Sequence, residues 1–228
     1  MNRFFTKSLA LIALVGGITA FSTSKAEATL VAYICNDAAC VAGGGDVSAA
    51  DEGAGDAASG ILDKIVMIGV NVGAYEFNVN TAQRVGGGLD LNYTATNDSG
   101  GVAGSVWLWV VDTDFNGPAN ITGVLGGTHA SGVVTAYICG GEDNVQTPPN
   151  SGPCSSAFDN SPVPTDIVLN HFATASGAFA YAIGVQVTGL GNNQTATGDF
   201  STVVPEPVTL SLLGLGLAGV AARRRKKA

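Results

Sequence analysis

From Leu89 to Thr96 apolar and polar residues alternate one for one: Leu89, Leu91, Tyr93 and Ala95 against Asp90, Asn92, Thr94 and Thr96. A period of two sends successive side chains to opposite faces, so the stretch predicts a half-buried β-strand. Phe179, Tyr181, Ile183, Val185 and Val187 form one unbroken apolar face within a strand predicted over 178–188. Val106 to Val111 is apolar on both faces, which predicts a central strand. Further strands are expected at 29–35, 61–72, 74–79, 133–139 and 165–172. Gly43 to Gly60 mixes Gly, Ala, Ser and acid without an apolar period and reads as a flexible loop. No helical period occurs between residues 29 and 203. Short strands separated by Gly-rich turns predict an all-β domain, an antiparallel β-sandwich of jelly-roll-like form. Its 175 residues suffice for an adequate core.

The pattern changes at both ends. Arg3 and Lys7 precede an apolar run from Leu9 to Phe21, and Ala26-Glu27-Ala28 comes next as a small-x-small site. That order predicts a helical secretory signal over residues 1–28. At the other end, Val208 to Ala222 is uncharged, and Arg223, Arg224, Arg225, Lys226 and Lys227 come directly after it. Fifteen helical residues rise about 22 Å against a bilayer core of about 30 Å. A transmembrane-type helix at 208–222 is expected, short for a permanent anchor, with its cations on the cytoplasmic side. Three regions result: a signal peptide at 1–28, an extracytoplasmic sandwich at 29–203 and a tail at 204–228.

Val204-Pro205-Glu206-Pro207, the apolar run and the closing Arg/Lys cluster together resemble the PEP-CTERM sorting signal of exported proteins of Gram-negative bacteria. The resemblance implies recognition and removal of the tail by exosortase, a membrane protease. It further implies delivery to the cell surface or to an extracellular polysaccharide matrix, as in biofilms. The tail type also carries the label of an ice-binding protein C-terminus. Pro205 and Pro207 lack N–H groups and favour extended backbone, as a protease substrate requires.

Charge and cysteine content narrow the partners of the body. Between Thr29 and Val204, sixteen Asp and Glu face only Lys64 and Arg84, a balance of −14. A body this acidic repels nucleic acid, which is excluded as a partner. Four cysteines in an exported domain imply two disulfides, with three pairings open. Local closure favours Cys35–Cys40 and Cys139–Cys154. The tetrapeptide AYIC occurs at 32–35 and again at 136–139, a short echo more consistent with chance than with duplication.

Candidate chemistry is sparse. Asp112, Asp114 and Asn116 in DTDFNG offer oxygens at alternate positions, a Ca²⁺-loop pattern. Position twelve of that pattern is Gly123 rather than Glu, and an acidic turn between strands accounts for the same residues. No other cofactor is indicated. His129 lies in a Gly-rich stretch and reads as solvated, whereas His171 ends a strand. No Ser has the G-x-S-x-G setting of a hydrolase nucleophile, so no catalytic residue is assigned. Trp107 and Trp109 share one strand face, as core or, if exposed, as sugar-stacking rings. TAT occurs at 94–96 and 195–197, two copies where a flat ice-binding face needs many. The leading expectation is a non-enzymatic surface or matrix protein associated with exopolysaccharide. The alternatives are a carbohydrate- or ice-binding module and a small secreted hydrolase.

Overall fold

The computed structural model describes residues 30–37, 40, 46–145, 152–160 and 165–204. The predicted signal helix, the tail helix, Pro205 to Pro207 and the cluster Arg223 to Lys227 lie outside them. The described residues form twelve strands and no helix. They are β1 (Val31–Cys35), β2 (Val47–Ala50), β3 (Lys64–Val72), β4 (Tyr75–Val85), β5 (Gly88–Asn97) and β6 (Ser105–Asn116). Next come β7 (Ala119–His129), β8 (Val133–Gly140), β9 (Cys154–Asp159), β10 (Thr165–Ala173), β11 (Ala178–Thr188) and β12 (Thr195–Val203).

Sheet I has the order β2-β1-β6-β11-β8-β9 and sheet II the order β10-β7-β12-β5-β4-β3. Every pairing is antiparallel. Within them, β5-β12-β7-β10 faces β6-β11-β8-β9, the winding of an eight-stranded jelly roll. β1 and β2 extend sheet I beside β6, and β3 and β4 extend sheet II beside β5.

The inner faces supply the core. Phe179, Tyr181, Ile183, Val185 and Val187 are all buried, as their alternation predicts, and so are Leu89, Leu91, Tyr93 and Ala95. Four strands do not announce themselves in the sequence: β2, β7, β9 and β12. In β7 and β12 the reason is glycine on the inner face. A Cβ at Gly123 would lie 2.8 Å from the Phe200 ring, and one at Gly198 would lie 2.5 Å from the Tyr93 ring. These glycines are the gaps that receive large rings, so close packing erases the hydrophobic alternation.

The reading of Gly43 to Gly60 as a flexible loop needs correction within its described part, residues 46–60. β2 lies in it and pairs with β1. Its acids hold the backbone on either side of the β3 start. Asp51 accepts from the Asp63 N–H at 2.8 Å, and Asp56 Oδ1 accepts from Ala58 N–H and Val66 N–H. Carboxylates that satisfy backbone donors replace apolar contacts as the ordering force.

The last strand is locked into the domain. Thr202 Oγ1 accepts from the Leu89 N–H at 2.8 Å and donates to the Leu89 carbonyl at 2.9 Å, with the Tyr181 hydroxyl 2.8 Å away. Val204 is 4% exposed. The folded body therefore runs into the first residue of the sorting tetrapeptide without a spacer.

Candidate functional site

The outer face of sheet I carries the most distinctive chemistry of the domain. Pairing aligns Cys35, Trp107, Gln186, Thr135 and Phe158 in one row across β1, β6, β11, β8 and β9. The next row is Tyr33, Trp109, Gly184, Tyr137 and Ser156, and the third is Val31, Val111, Ala182, Cys139 and Cys154. None of these positions is charged.

Trp109 is the floor. It is 2% exposed although it lies on the outer face. Its ring covers Gly184, where a Cβ would come within 2.1 Å of it. The Tyr137 ring packs beside it, centroids 5.5 Å apart and tilted by 43°. Trp107, Tyr33 and Tyr137 are half-buried around this floor, and Phe158 stands 68% exposed at the edge. The two AYIC segments thus place Tyr33 and Tyr137 in the same row, on either side of Trp109.

Two disulfides brace the face. Cys35 is bonded to Cys40 and Cys139 to Cys154, the pairing that local closure favours. Cys35 and Cys139 lie at opposite corners of the aromatic cluster. Polar groups punctuate the row: the Tyr137 hydroxyl donates to Gln186 Oε1 at 2.8 Å, and Thr135 is adjacent. Burial raises the Tyr33 and Tyr137 hydroxyl pKa values above the ordinary tyrosine value, so both stay neutral at neutral pH. The Trp109 Nε1–H has no partner among the described residues. Rings with apolar faces, together with amide and hydroxyl groups in one row, can stack on a sugar ring and hydrogen-bond its hydroxyls.

The proposed calcium residues are placed differently from their sequence reading. Asp112, Asp114 and Asn116 belong to β6, not to a loop. Asp112 is fully buried and accepts from Arg84 Nη1 at 3.3 Å and from the Thr113 N–H at 2.7 Å. Arg84 also donates to the Thr113 carbonyl and lies 4.2 Å above the centre of the Phe115 ring. Burial pushes the Asp112 carboxyl up to about 6, against the lowering effects of Thr113 N–H and Arg84. Asp114, with φ of 63°, accepts from Asn144 Nδ2 at 2.7 Å, and Asn116 is exposed. Asp112 and Asp114 are thus engaged by separate partners, Arg84 and Asn144. Among the described residues no three His, Cys, Asp or Glu side chains converge as a metal site.

Both histidines are buried, which corrects the solvated reading of His129. His129 ends β7, with Nδ1 3.2 Å from the Ser131 carbonyl and Nε2 3.9 Å from Asp159 Oδ2. It lines a small recess with Tyr93, Thr128, Asp159 and Thr197. Its solvated reading came from the glycines before it, which belong to β7 itself. His171 Nδ1 lies 3.1 Å from Ser155 Oγ, and its Nε2 lies 2.8 Å from the Gly140 carbonyl. It ties β10 to β8 and β9. Sequence reasoning missed Gln186, Thr135, Tyr33, Tyr137 and Phe158 as neighbours of Trp107, because cross-strand register is absent from a linear pattern.

Comparison with known proteins bears on the tail and much less on the body. Residues 203–226 match the PEP-CTERM protein-sorting motif. The motif marks an exported, exosortase-sorted protein with a C-terminal membrane-anchoring tail. No curated protein matches the chain. Among solved structures, TmCBM61 in complex with β-1,4-galactotriose is similar at 13% identity and a TM-score of 0.34, over 50% of this chain and 71% of that one. The adhesin domain of Epf from Streptococcus pyogenes is similar at 9% identity and a TM-score of 0.41, over 77% and 58%. A carbohydrate-binding module of the β-sandwich superfamily is similar at 14% identity and a TM-score of 0.29, over 75% and 71%. At these scores none transfers a function to this chain.

Proposed function

We propose that the protein is a non-enzymatic surface or matrix protein that holds neutral extracellular polysaccharide on the outer face of sheet I. The observation that carries this reading is the uncharged row Trp107–Gln186–Thr135–Phe158, flanked by Tyr33 and Tyr137, on a body of charge −14. Apolar rings left half-exposed in a fixed plane cost solubility unless something covers them. A glycan chain presents alternating apolar faces and hydroxyls, and the row offers rings with an amide and hydroxyls between them. Adjacent strands lie about 4.8 Å apart, so Trp107 and Phe158 are roughly 14 Å apart across three strand intervals. That length suits a short stretch of chain rather than one sugar. The acidic body disfavours anionic polymers, and the uncharged row suits neutral ones.

The test is retention of the exported protein, recovered from the cell surface, on the producer's own polysaccharide and on neutral and anionic glycans. Retention on neutral glycan that Trp107→Ala weakens supports the reading. Retention on no glycan, or retention unchanged by Trp107→Ala, overturns it.

A second reading, ice binding, draws on one observation. The two TAT segments pair side by side on the outer face of sheet II, Thr195 with Thr96 and Thr197 with Thr94, with Thr128 beside Thr197. Inhibition of ice recrystallisation that Thr197→Lys abolishes supports it, and no inhibition by the intact protein dismisses it.

A further inference from the structure

The chain leaves the sandwich from the middle of sheet II, where β12 lies between β7 and β5. Val203 pairs with Thr122, and Val204 is buried. Only Pro205, Glu206 and Pro207 separate Val204 from the apolar run at Val208. Three residues reach at most about 11 Å. The headgroup layer on one side of a bilayer is roughly 5–7 Å thick, from the difference between total and core thickness. While the tail is inserted, this end of the body therefore stands at the headgroups.

The same end exposes large apolar side chains. Val203 is 61% exposed, Val85 51% and Phe172 55%. Val85 closes the β4–β5 turn by pairing with Gly88, whose backbone lies hard against Thr202 and Val203. Phe172 pairs with Asn120, two positions along β7 from the partner of Val203. The three thus line the margin of sheet II where the tail emerges. On the sheet I side of this end stand the acidic residues Asp114, Glu142 and Asp143.

We propose that Val85, Phe172 and Val203 form a membrane-docking surface that rests on a zwitterionic bilayer until the tail is removed. The proposal rests on reading the tail as membrane-inserted. Apolar side chains at the interface gain by leaving water. The acids opposite resist anionic headgroups, so contact tilts toward sheet II. Once the tail is cut, three side chains hold the body too weakly to keep it on the membrane. Cleavage then releases the body without a further step.

The experiment uses the full chain reconstituted in phosphatidylcholine vesicles that carry a headgroup quencher. A fluorophore is attached through Val85→Cys, Phe172→Cys or, as a control at the opposite end, Val102→Cys, which is 78% exposed in the native protein. Val102 lies beside Ala103, whose N–H bonds Leu190 near the far turn. Quenching is expected at positions 85 and 172, several-fold above that at 102. A Gly-Ser spacer of about ten residues after Val204 adds roughly 17 Å of reach and should erase the difference. Equal quenching at the three positions in a chain that resists carbonate extraction overturns the docking surface alone. A chain that carbonate washes off overturns the membrane-inserted tail, and the docking surface with it.

Discussion

Trp107, Gln186, Thr135 and Phe158 cross the outer face of sheet I in one row, and Thr128, Thr197, Thr94 and Asn78 cross that of sheet II. The backbones are alike, and the side chains solve different problems. On sheet II they satisfy one another across strands. Thr96 bonds Thr195 at 3.1 Å, Thr128 bonds Thr197 at 3.0 Å, and Asn80 donates to Asn92 at 2.8 Å. Asp90, Asp166 and Asp199 add charge to that face. This part of the face is built to meet water, whereas Phe172 and Val203 stand exposed at the end where the tail emerges. On sheet I rings pack over a glycine between two disulfides, and charge is absent from the three aligned rows. An apolar outer face held this firmly is the feature on which the proposal of glycan binding at sheet I rests.

The largest expected effect breaks the floor of that face. Trp109→Ala should cost about 3–5 kcal/mol, since it empties a fully packed site. Thr197→Ala on sheet II should stay within roughly 1 kcal/mol. Thermal unfolding monitored by circular dichroism compares them, and equal losses would erase the distinction between the faces.

Removing the braces comes next. Replacing both Cys139 and Cys154 by Ser should cost about 3 kcal/mol, and replacing both Cys35 and Cys40 about 2 kcal/mol, in proportion to loop length. Denaturant midpoints measure both. If the aromatic row depends on its corners, each double variant also loses glycan retention.

A smaller effect separates binding from stability. Trp107→Ala should weaken retention on neutral glycan about tenfold, the loss of one stacking contact worth about 1.4 kcal/mol. Thr128→Val should leave it unchanged. Affinity electrophoresis with soluble glycan measures the ratio, and an equal effect of the two would move the site off sheet I.

The smallest effect is the part of the pH slope that Asp90 contributes on sheet II. Burial, with Asp199 nearby, raises the Asp90 carboxyl above its ordinary value, while Gln83 opposes the shift. Its folded pKa then exceeds the unfolded one. Its contribution to stability is fully present below the unfolded value and is lost as pH rises through the folded value. Asp90→Asn should remove that part of the slope in unfolding scans above about pH 4. Retention on sheet I should be flat over the same range, because its three rows hold no carboxylate or histidine.

How much was legible depends on the pattern of side-chain size. Leu89 to Thr96 and Phe179 to Val187 declare their strands because each has one apolar face, and both are buried as expected. β12 is hidden because Ala196, Gly198, Phe200 and Thr202 form its inner face, and two of them make room for rings or bonds from elsewhere. Trp107 and Trp109 were visible as a pair on one strand, but not as one half-exposed ring and one floor. That division depends on Gly184, Tyr137 and the disulfides, which reach them from β11, β8 and β1. Asp112 was visible as an acid among acids, but neither its burial nor its pairing with Arg84, 28 residues away, was.

By itself the sequence determined the all-β class, the local cysteine pairing and the export route, since alternation, short loop closure and the tail motif are local properties of the chain. Tertiary structure alone decided which face carries rings and which carries hydroxyls, because strand register is set between residues far apart. It also decided that the sorting tail begins where the last strand ends. Val204 is held by the core around it, and only the packed sandwich shows that the sorting tetrapeptide starts inside the folded body.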